Sequence, residues 1–489
     1  MKKIYMQYFE WYLPEDQLLW KRVAKQANEL KSLGITTIWL PPAYKGAFGV
    51  HDSGYAVYDL YDLGEFNQKD TIGTKYGTKD EYIKAIEALH KEGIKVLADT
   101  VLNHKMGADE SEFVNATLKA WKNRNEEISV SRQIEAWTRF TFPSRNKTYS
   151  DFTWNHTHFN GIDWDEKNHE KGIFLFEGKQ WSQEVDRENG NYDYLMGADL
   201  DMSNPEVVNE CIHWGQWYLN TSKVDGFRFD AVKHINADFF NQWIKEVQAI
   251  SDKPLSLIGE YWNPDLAALL NFINETKEQI RLFDVALHYH LQQASSTNGA
   301  YDMRDLFKGT LVECKPELAI TFVDNHDTQP NQALQSWVEE WFKGAAYAII
   351  LLYPYGTPCI FYGDMYGIPH NQLNSVDELP TLMLVSKHYA FGDFHPYIDH
   401  SDLIGWSQCG DNKHSDSGYA LLITNAKGGN KRMYVGKQYA NQSFYDCLQH
   451  IEQPIFIDQD GYGDFIVEDG SFSLYVNRNA YESISINLP

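Results

Sequence analysis

A chain of 489 residues, 43% hydrophobic and 23% charged, reads as globular, not disordered, and is too long for one ordinary core, so two or three domains are expected. Its formal net charge of −25 excludes the basic face a nucleic-acid binder needs and argues against docking on anionic membranes. The longest apolar run, around Ala345 to Tyr353, is too short to cross a bilayer. Aromatics reach 15%, which suits flat surfaces that stack on sugar rings or, equally, large aromatic cores. Cys211, Cys314, Cys359, Cys409 and Cys447 are widely spaced with no CxxC, a pattern of free thiols in a reducing compartment. Lys2 and Lys3 mimic the start of a signal peptide, but no apolar segment or small-residue cleavage site follows. Cytoplasmic placement is expected, a removed leader being the alternative.

The aromatic run Ile4 to Trp11 reads as a strand. Leu19, Val23, Ala27 and Leu30 then recur at helical spacing, closed by Gly34. Ile35–Leu40 is a second strand, stopped by Pro41-Pro42; a helix over about 79–91 leads to a third strand, Ile94 to Val101. From about Lys105 to Pro205 the strand–helix rhythm stops, and the stretch reads as an irregular, β-rich inserted lobe. The rhythm resumes with a helix near Glu206 to Leu219 and a strand ending at Asp230. Further pairs follow: a helix over 239–250 and the strand Leu255 to Ile258; a helix from Pro264 and the strand Leu282 to Leu287; then the strand Leu318 to Val323, a helix over 337–352, the strand Cys359 to Tyr362 and a helix ending near Tyr389.

Eight such units with continuous apolar strands imply a parallel sheet under helices, as in a closed (β/α)8 barrel interrupted after strand three. An open doubly wound sheet is the alternative, weakened because no Gly-rich phosphate loop follows any strand. Past about residue 394, short alternating segments such as Gly418–Ile423 and Ser471–Val476 indicate an all-β domain, a small sandwich. The expected division is therefore a barrel over 1–104 and 206–393, an insertion over 105–205 and a β domain over 394–489.

The stretch Val224 to His234 organises the rest. An apolar strand ends in Asp230 with Arg228 two positions earlier on the same face, followed by Lys233 and His234. A carboxylate held at a strand end beside a cation is what a nucleophile needs, although a structural ion pair looks the same. Barrel chemistry sits at the carboxyl ends of strands. Those positions supply Asp99, Asn103 and His104; Glu260 and Trp262; and Asp324, Asn325, His326 and Asp327. Paired carboxylates without a histidine metal cluster suggest glycoside hydrolysis, with one acid ionised and one protonated. Arg228 is expected to keep Asp230 charged, and burial to raise Glu260.

The chain resembles the α-amylase family, in particular its liquefying bacterial members. The resemblance rests on Asp99–His104, Gly226–His234, Gly259–Trp262 and Phe322–Asp327, with support from Met6–Trp11, Gly54–Leu60 and Asn191–Met196. It implies a retaining endo-hydrolase of α-1,4-glucans: Asp230 as nucleophile, Glu260 as acid/base and Asp327 as stabiliser of the transition state. It implies Tyr55, His104, Arg228 and His326 around the sugar whose bond is cut, Lys233, His234 and Trp262 on the leaving-group side, and Trp11 and Gln332 as further substrate contacts. A transglycosylase or maltodextrin hydrolase on the same site, or a non-catalytic glucan-binding barrel, are the alternatives. The resemblance also implies one Ca²⁺ on Asn103, Asp193, Asp199 and the carbonyl of His234. A Ca–Na–Ca cluster is not expected, because Asn160, Ser182 and Ser203 stand where acids would be needed, although Asp201 is present. The expected partner is an α-glucan and the expected state a monomer.

Overall fold

The computed structural model describes residues 2–487. Eight strands close into a barrel: β1 (Tyr5–Gln7), β2 (Thr37–Leu40), β3 (Lys95–Thr100), β4 (Gly226–Phe229), β5 (Ser256–Gly259), β6 (Arg281–Phe283), β7 (Ala319–Phe322) and β8 (Thr357–Phe361). Registered pairs along the barrel, such as Arg228 with Asp99 and with Ile258, are parallel. Closure removes the open doubly wound alternative. Helices alternate with the strands: α1 (Leu19–Ser32), α2 (Lys79–Lys91), α3 (Pro205–Ser222), α4 (Ala237–Gln248), α5 (Leu266–Glu275), α6 (Val285–Ser296), α7 (Glu340–Leu352) and α8 (Leu379–His388). The apolar run around Ala345–Tyr353 is the buried body of α7. No described helix is long and apolar enough to cross a membrane.

Strand β4 shows how the pattern places function. Its four residues are all buried. Phe227 and Phe229 pack edge-on against Trp243 of α4 at 5.1 Å each, so Arg228 between them must point to the opposite face, into the barrel. Gly226 is required by close approach, since a Cβ there would lie 1.9 Å from the Ser256 carbonyl oxygen.

Two elements differ from the sequence reading. The expected strand Leu282 to Leu287 ends at Phe283, because Asp284 caps α6, its carboxylate accepting from the Leu287 amide at 3.2 Å. Buried on all sides, Val285-Ala286-Leu287 has no period that separates strand from helix. The inserted lobe is β-rich but regular: a seven-stranded sheet that includes Glu110–Ala120, Arg132–Arg139, Phe159–Asp165 and Glu170–Phe176. Glu110–Ala120 is mostly half-exposed and carries charge along its length, which hides the alternation.

The C-terminal segment forms a six-stranded and a two-stranded sheet around Ala420, Leu422, Met433, Phe444, Phe465 and Tyr475. It ends in a helix, Arg478–Asn487, that the all-β reading missed. By contacts the chain divides into two compact units, Met1–Tyr12, Glu29–Thr37 and Asp284–Pro489 in one, Leu13–Asn28 and Ile38–Phe283 in the other. Candidate site residues occur in both.

Candidate active site

In the unit spanning β3 to β6, Arg228 is wholly buried and gathers three carboxylates. Its Nη1 donates to Asp99 Oδ1 at 2.8 Å and to Asp230 Oδ1 at 2.9 Å, and its Nη2 donates to Glu260 Oε2. The guanidinium lies 4.6 Å from the centre of the Trp39 ring. The other oxygen of Asp99 accepts from Trp39 Nε1 at 2.9 Å and from the Tyr55 hydroxyl at 2.6 Å. Asp99 is thus fully enclosed and acts as an anchor for Arg228 and Tyr55. Asp230 and Glu260 differ, keeping side chains 12% and 9% exposed, so a reactant can reach them.

Burial raises the Asp230 carboxyl above the usual aspartate range, with Arg228 and a hydrogen bond to Glu260 pulling the other way. Arg228 is thus the cation that draws Asp230 toward its charged form against the cost of burial. The backbone helps to aim this pair. Ala231 sits in the left-handed region (φ 52°), unusual for a residue with a Cβ, and turns the chain sharply just past Asp230.

Around this centre, His104 Nε2 meets the Tyr55 carbonyl at 2.9 Å, and burial pushes the imidazole down to about 4, so it is neutral and donates. His234 is likewise pushed down, to about 3, by burial and by Lys233, and its Nδ1 meets the Tyr192 carbonyl at 2.5 Å. Lys233 donates to Glu188 Oε2 at 2.8 Å and to the Trp262 carbonyl at 3.0 Å. Glu188 and Tyr192 come from the inserted lobe. Nothing local in the sequence links them to residues more than 40 positions away.

The same unit holds Asn103, Asp193 and Asp199, all buried. Asn160 Nδ2 donates to one oxygen of each aspartate at 3.1 Å, and among the described residues no Lys or Arg forms an ion pair with either. Burial and the neighbouring Asp201 push Asp193 up to about 7; burial and the charge of Asp193 push Asp199 well above its usual range. Two buried acids without a cation of their own, beside an amide oxygen, are a donor set of hard oxygens that fits Ca²⁺. Asp201, by contrast, is bonded to Lys179 Nζ at 2.5 Å and to the Ser203 hydroxyl at 2.5 Å.

In the other unit, Asp327 follows β7 with its side chain 23% exposed and 3.3 Å from His326 Nε2. Gln7 Nε2 lies 2.9 Å from His326 Nδ1, which assigns the imidazole proton to Nε2 and points it at Asp327. The Trp11 ring runs parallel to that of His326, 6.0 Å apart and inclined by 12°. Gln332 Nε2 donates to the Tyr12 hydroxyl at 2.9 Å. Gln7 and Tyr12 were not singled out in the sequence; a glutamine inside an otherwise apolar buried strand was the available signal.

A closed parallel barrel with paired carboxyl groups at its strand ends suits a glycoside hydrolase. The model of the α-amylase catalytic domain matches residues 19–383. The α-amylase of Geobacillus stearothermophilus is 53% identical over 476 residues, covering 97% of this chain and 86% of that protein. The cytoplasmic α-amylase of Escherichia coli (strain K12) is 40% identical over 486 residues, covering 96% and 98%. At the level of fold, the crystal structure of the Geobacillus thermoleovorans α-amylase complexed with acarbose superposes with a TM-score of 0.64 at 19% identity, covering 98% of both chains. The chain belongs to the α-amylase family of glycoside hydrolases, enzymes that act on α-1,4-glucans.

Proposed function

We propose that this enzyme cleaves α-1,4-glucosidic bonds within starch, glycogen or maltodextrin chains and retains the anomeric configuration. In the first step Asp230 bonds to the anomeric carbon as the glycosidic bond breaks, and Glu260 gives its proton to the departing oxygen. In the second, water attacks that carbon, Glu260 takes up its proton and Asp230 leaves. Asp327 holds ring hydroxyls and stabilises the oxocarbenium-like state. The observation carrying this reading is the single buried guanidinium that bridges Asp230 and Glu260. Two carboxyls gathered on one guanidinium suit direct attack, which needs them about 5–5.5 Å apart, whereas roughly 6.5–9.5 Å would leave room for a water.

Tyr55, His104, Arg228 and His326 are assigned to the sugar that is attacked, Lys233, His234 and Trp262 to the leaving side, and Trp11 and Gln332 to the remaining glucan. Members of the family bind calcium. Here one ion is assigned to Asn103, Asp193, Asp199 and the His234 carbonyl, where its charge would offset the two unpaired acids. A second ion is not assigned, because Asn160, Ser182 and Ser203 are neutral and Lys179 already satisfies Asp201. The lobes are assigned as barrel (1–104 and 206–393), insertion (105–205) and β domain (394–489). Five free cysteines, four of them buried, support a reducing, cytoplasmic setting, and the molecule is assigned as a monomer.

Glu260→Gln tests the assignment. It should lower kcat on maltoheptaose by about 10³-fold, within the range for losing a general acid, while circular dichroism stays that of the parent. Activity within tenfold of the parent would contradict it.

A further inference from the structure

Helix α7 is apolar almost throughout, yet Lys343 in its first turn is buried, 3% exposed. A buried ammonium is costly unless every proton is used. This one donates to Asp324 Oδ2 at 2.9 Å and to Asp364, and sits 3.0 Å from the centre of the Trp337 ring. Asp364 also accepts from the Tyr347 hydroxyl at 2.6 Å, which places it firmly in the barrel wall. Asp324 leads outward instead. Its other oxygen accepts from the Thr328 hydroxyl at 2.7 Å, and that hydroxyl accepts from the Asn325 amide at 2.9 Å. Asn325 Oδ1 in turn accepts from the amides of Asp327 and Thr328, at 2.8 and 2.9 Å. Asp324 therefore ties the loop bearing His326 and Asp327 to one buried cation, with the Val338 amide as its further donor at 3.2 Å.

We propose that Lys343 is a positioning residue for the reaction: through Asp324 it fixes the loop that presents Asp327 to the substrate. The inference rests on the assignment of Asp327 made above. Burial pushes both Asp324 and Asp364 up, and Lys343 is the main charge drawing each back toward the ionised form. Without it, Asp324 protonates or turns, and the loop loses its reference point. A misplacement near 1 Å at a reacting group can cost about 10²-fold in rate.

The test compares Lys343→Met and Asp324→Asn with Lys2→Met, by steady-state kinetics on maltoheptaose and by thermal unfolding. Lys2 caps the far end of α7, donating to the carbonyls of Ile350 and Leu351 at 3.2 and 2.8 Å, and reaches no part of the loop. Lys343→Met and Asp324→Asn should each lower kcat by about tenfold or more with KM within about twofold. Lys2→Met should lower the melting temperature but leave kcat within about twofold. If Lys343→Met does not fold, the isosteric Asp324→Asn decides. The proposal is overturned if both folded variants keep kcat within twofold, or if Lys2→Met lowers kcat as much as they do. Asp327→Asn separates this from its premise. Near-parental activity there would remove the role of Asp327 itself, whereas a loss confined to Asp327→Asn would remove only the role of Lys343.

Discussion

Two groups of buried acids in this molecule solve the same electrostatic problem in opposite ways. At the strand ends, Asp99, Asp230 and Glu260 share one internal cation, Arg228, which the chain carries on β4 itself. In the inserted lobe, Asp193 and Asp199 have only the amide of Asn160 between them. Where the charge must be used in chemistry, the counter-ion is a fixed side chain that leaves two carboxyls partly open. Where it serves structure, the counter-ion can come from outside. The difference teaches that a cluster of acids is informative only together with its cation: the proposed reaction centre carries its own guanidinium, and the proposed calcium ligands do not.

That comparison breaks if removing the internal cation is harmless. Arg228→Met should destabilise the fold by about 3–5 kcal/mol, the usual cost of leaving buried carboxylates unpartnered, and abolish measurable turnover. Chemical unfolding with activity assay reads both. Loss of activity with unchanged stability would mean that Arg228 serves substrate alone.

The second cluster should respond to solvent calcium. Chelation should lower stability by about 2.7 kcal/mol relative to calcium at 100 times its dissociation constant. The effect has a defined pH sign. In the metal-free state Asp193 keeps a proton up to about pH 7, and calcium needs the carboxylate, so binding expels a proton and affinity falls as pH drops below 7. Calorimetry in buffers of different ionisation enthalpy measures that proton; affinity independent of pH between 5 and 8 would contradict the assigned ligands.

The smallest effect sharpens the boundary between the two strategies. Lys179→Met removes the cation that serves Asp201, and should cost about 1 kcal/mol. It should not recruit a second metal, because Asn160, Ser182 and Ser203 still supply no charge. Metal analysis should give one calcium per chain before and after; two after substitution would show that Lys179 had been standing in a cation's place.

Much of the site was legible in the sequence, for a specific reason. A buried strand must end where its apolar run ends, so Asp230 and Glu260 announce themselves as acids closing hydrophobic stretches, Asp327 follows Asp324 just past another, and the period of two puts Arg228 on the face of Asp230. What the sequence hides are partners brought together by closure of the chain. Trp39 and Tyr55 hold Asp99 across 60 and 44 positions, and Glu188 reaches Lys233 across 45. Lys343 looked like one more residue of an apolar helix. Local conformation was equally hidden: Ala231 in the left-handed region follows no rule of residue preference, and the all-round burial of Val285–Leu287 made a helix read as a strand. In the β-rich insertion only the regularity of the sheet escaped, because charged, half-exposed strands do not alternate.

The central claim is that Asp230 and Glu260 act from opposite sides of one sugar through a covalent glycosyl-enzyme. Proton NMR of maltoheptaose during the first minutes of cleavage tests it most directly, because the new reducing end reports its anomeric form before mutarotation. The account predicts that the α-anomer appears first, with β following slowly. Initial appearance of the β-anomer would mean a single displacement by water, and would contradict it.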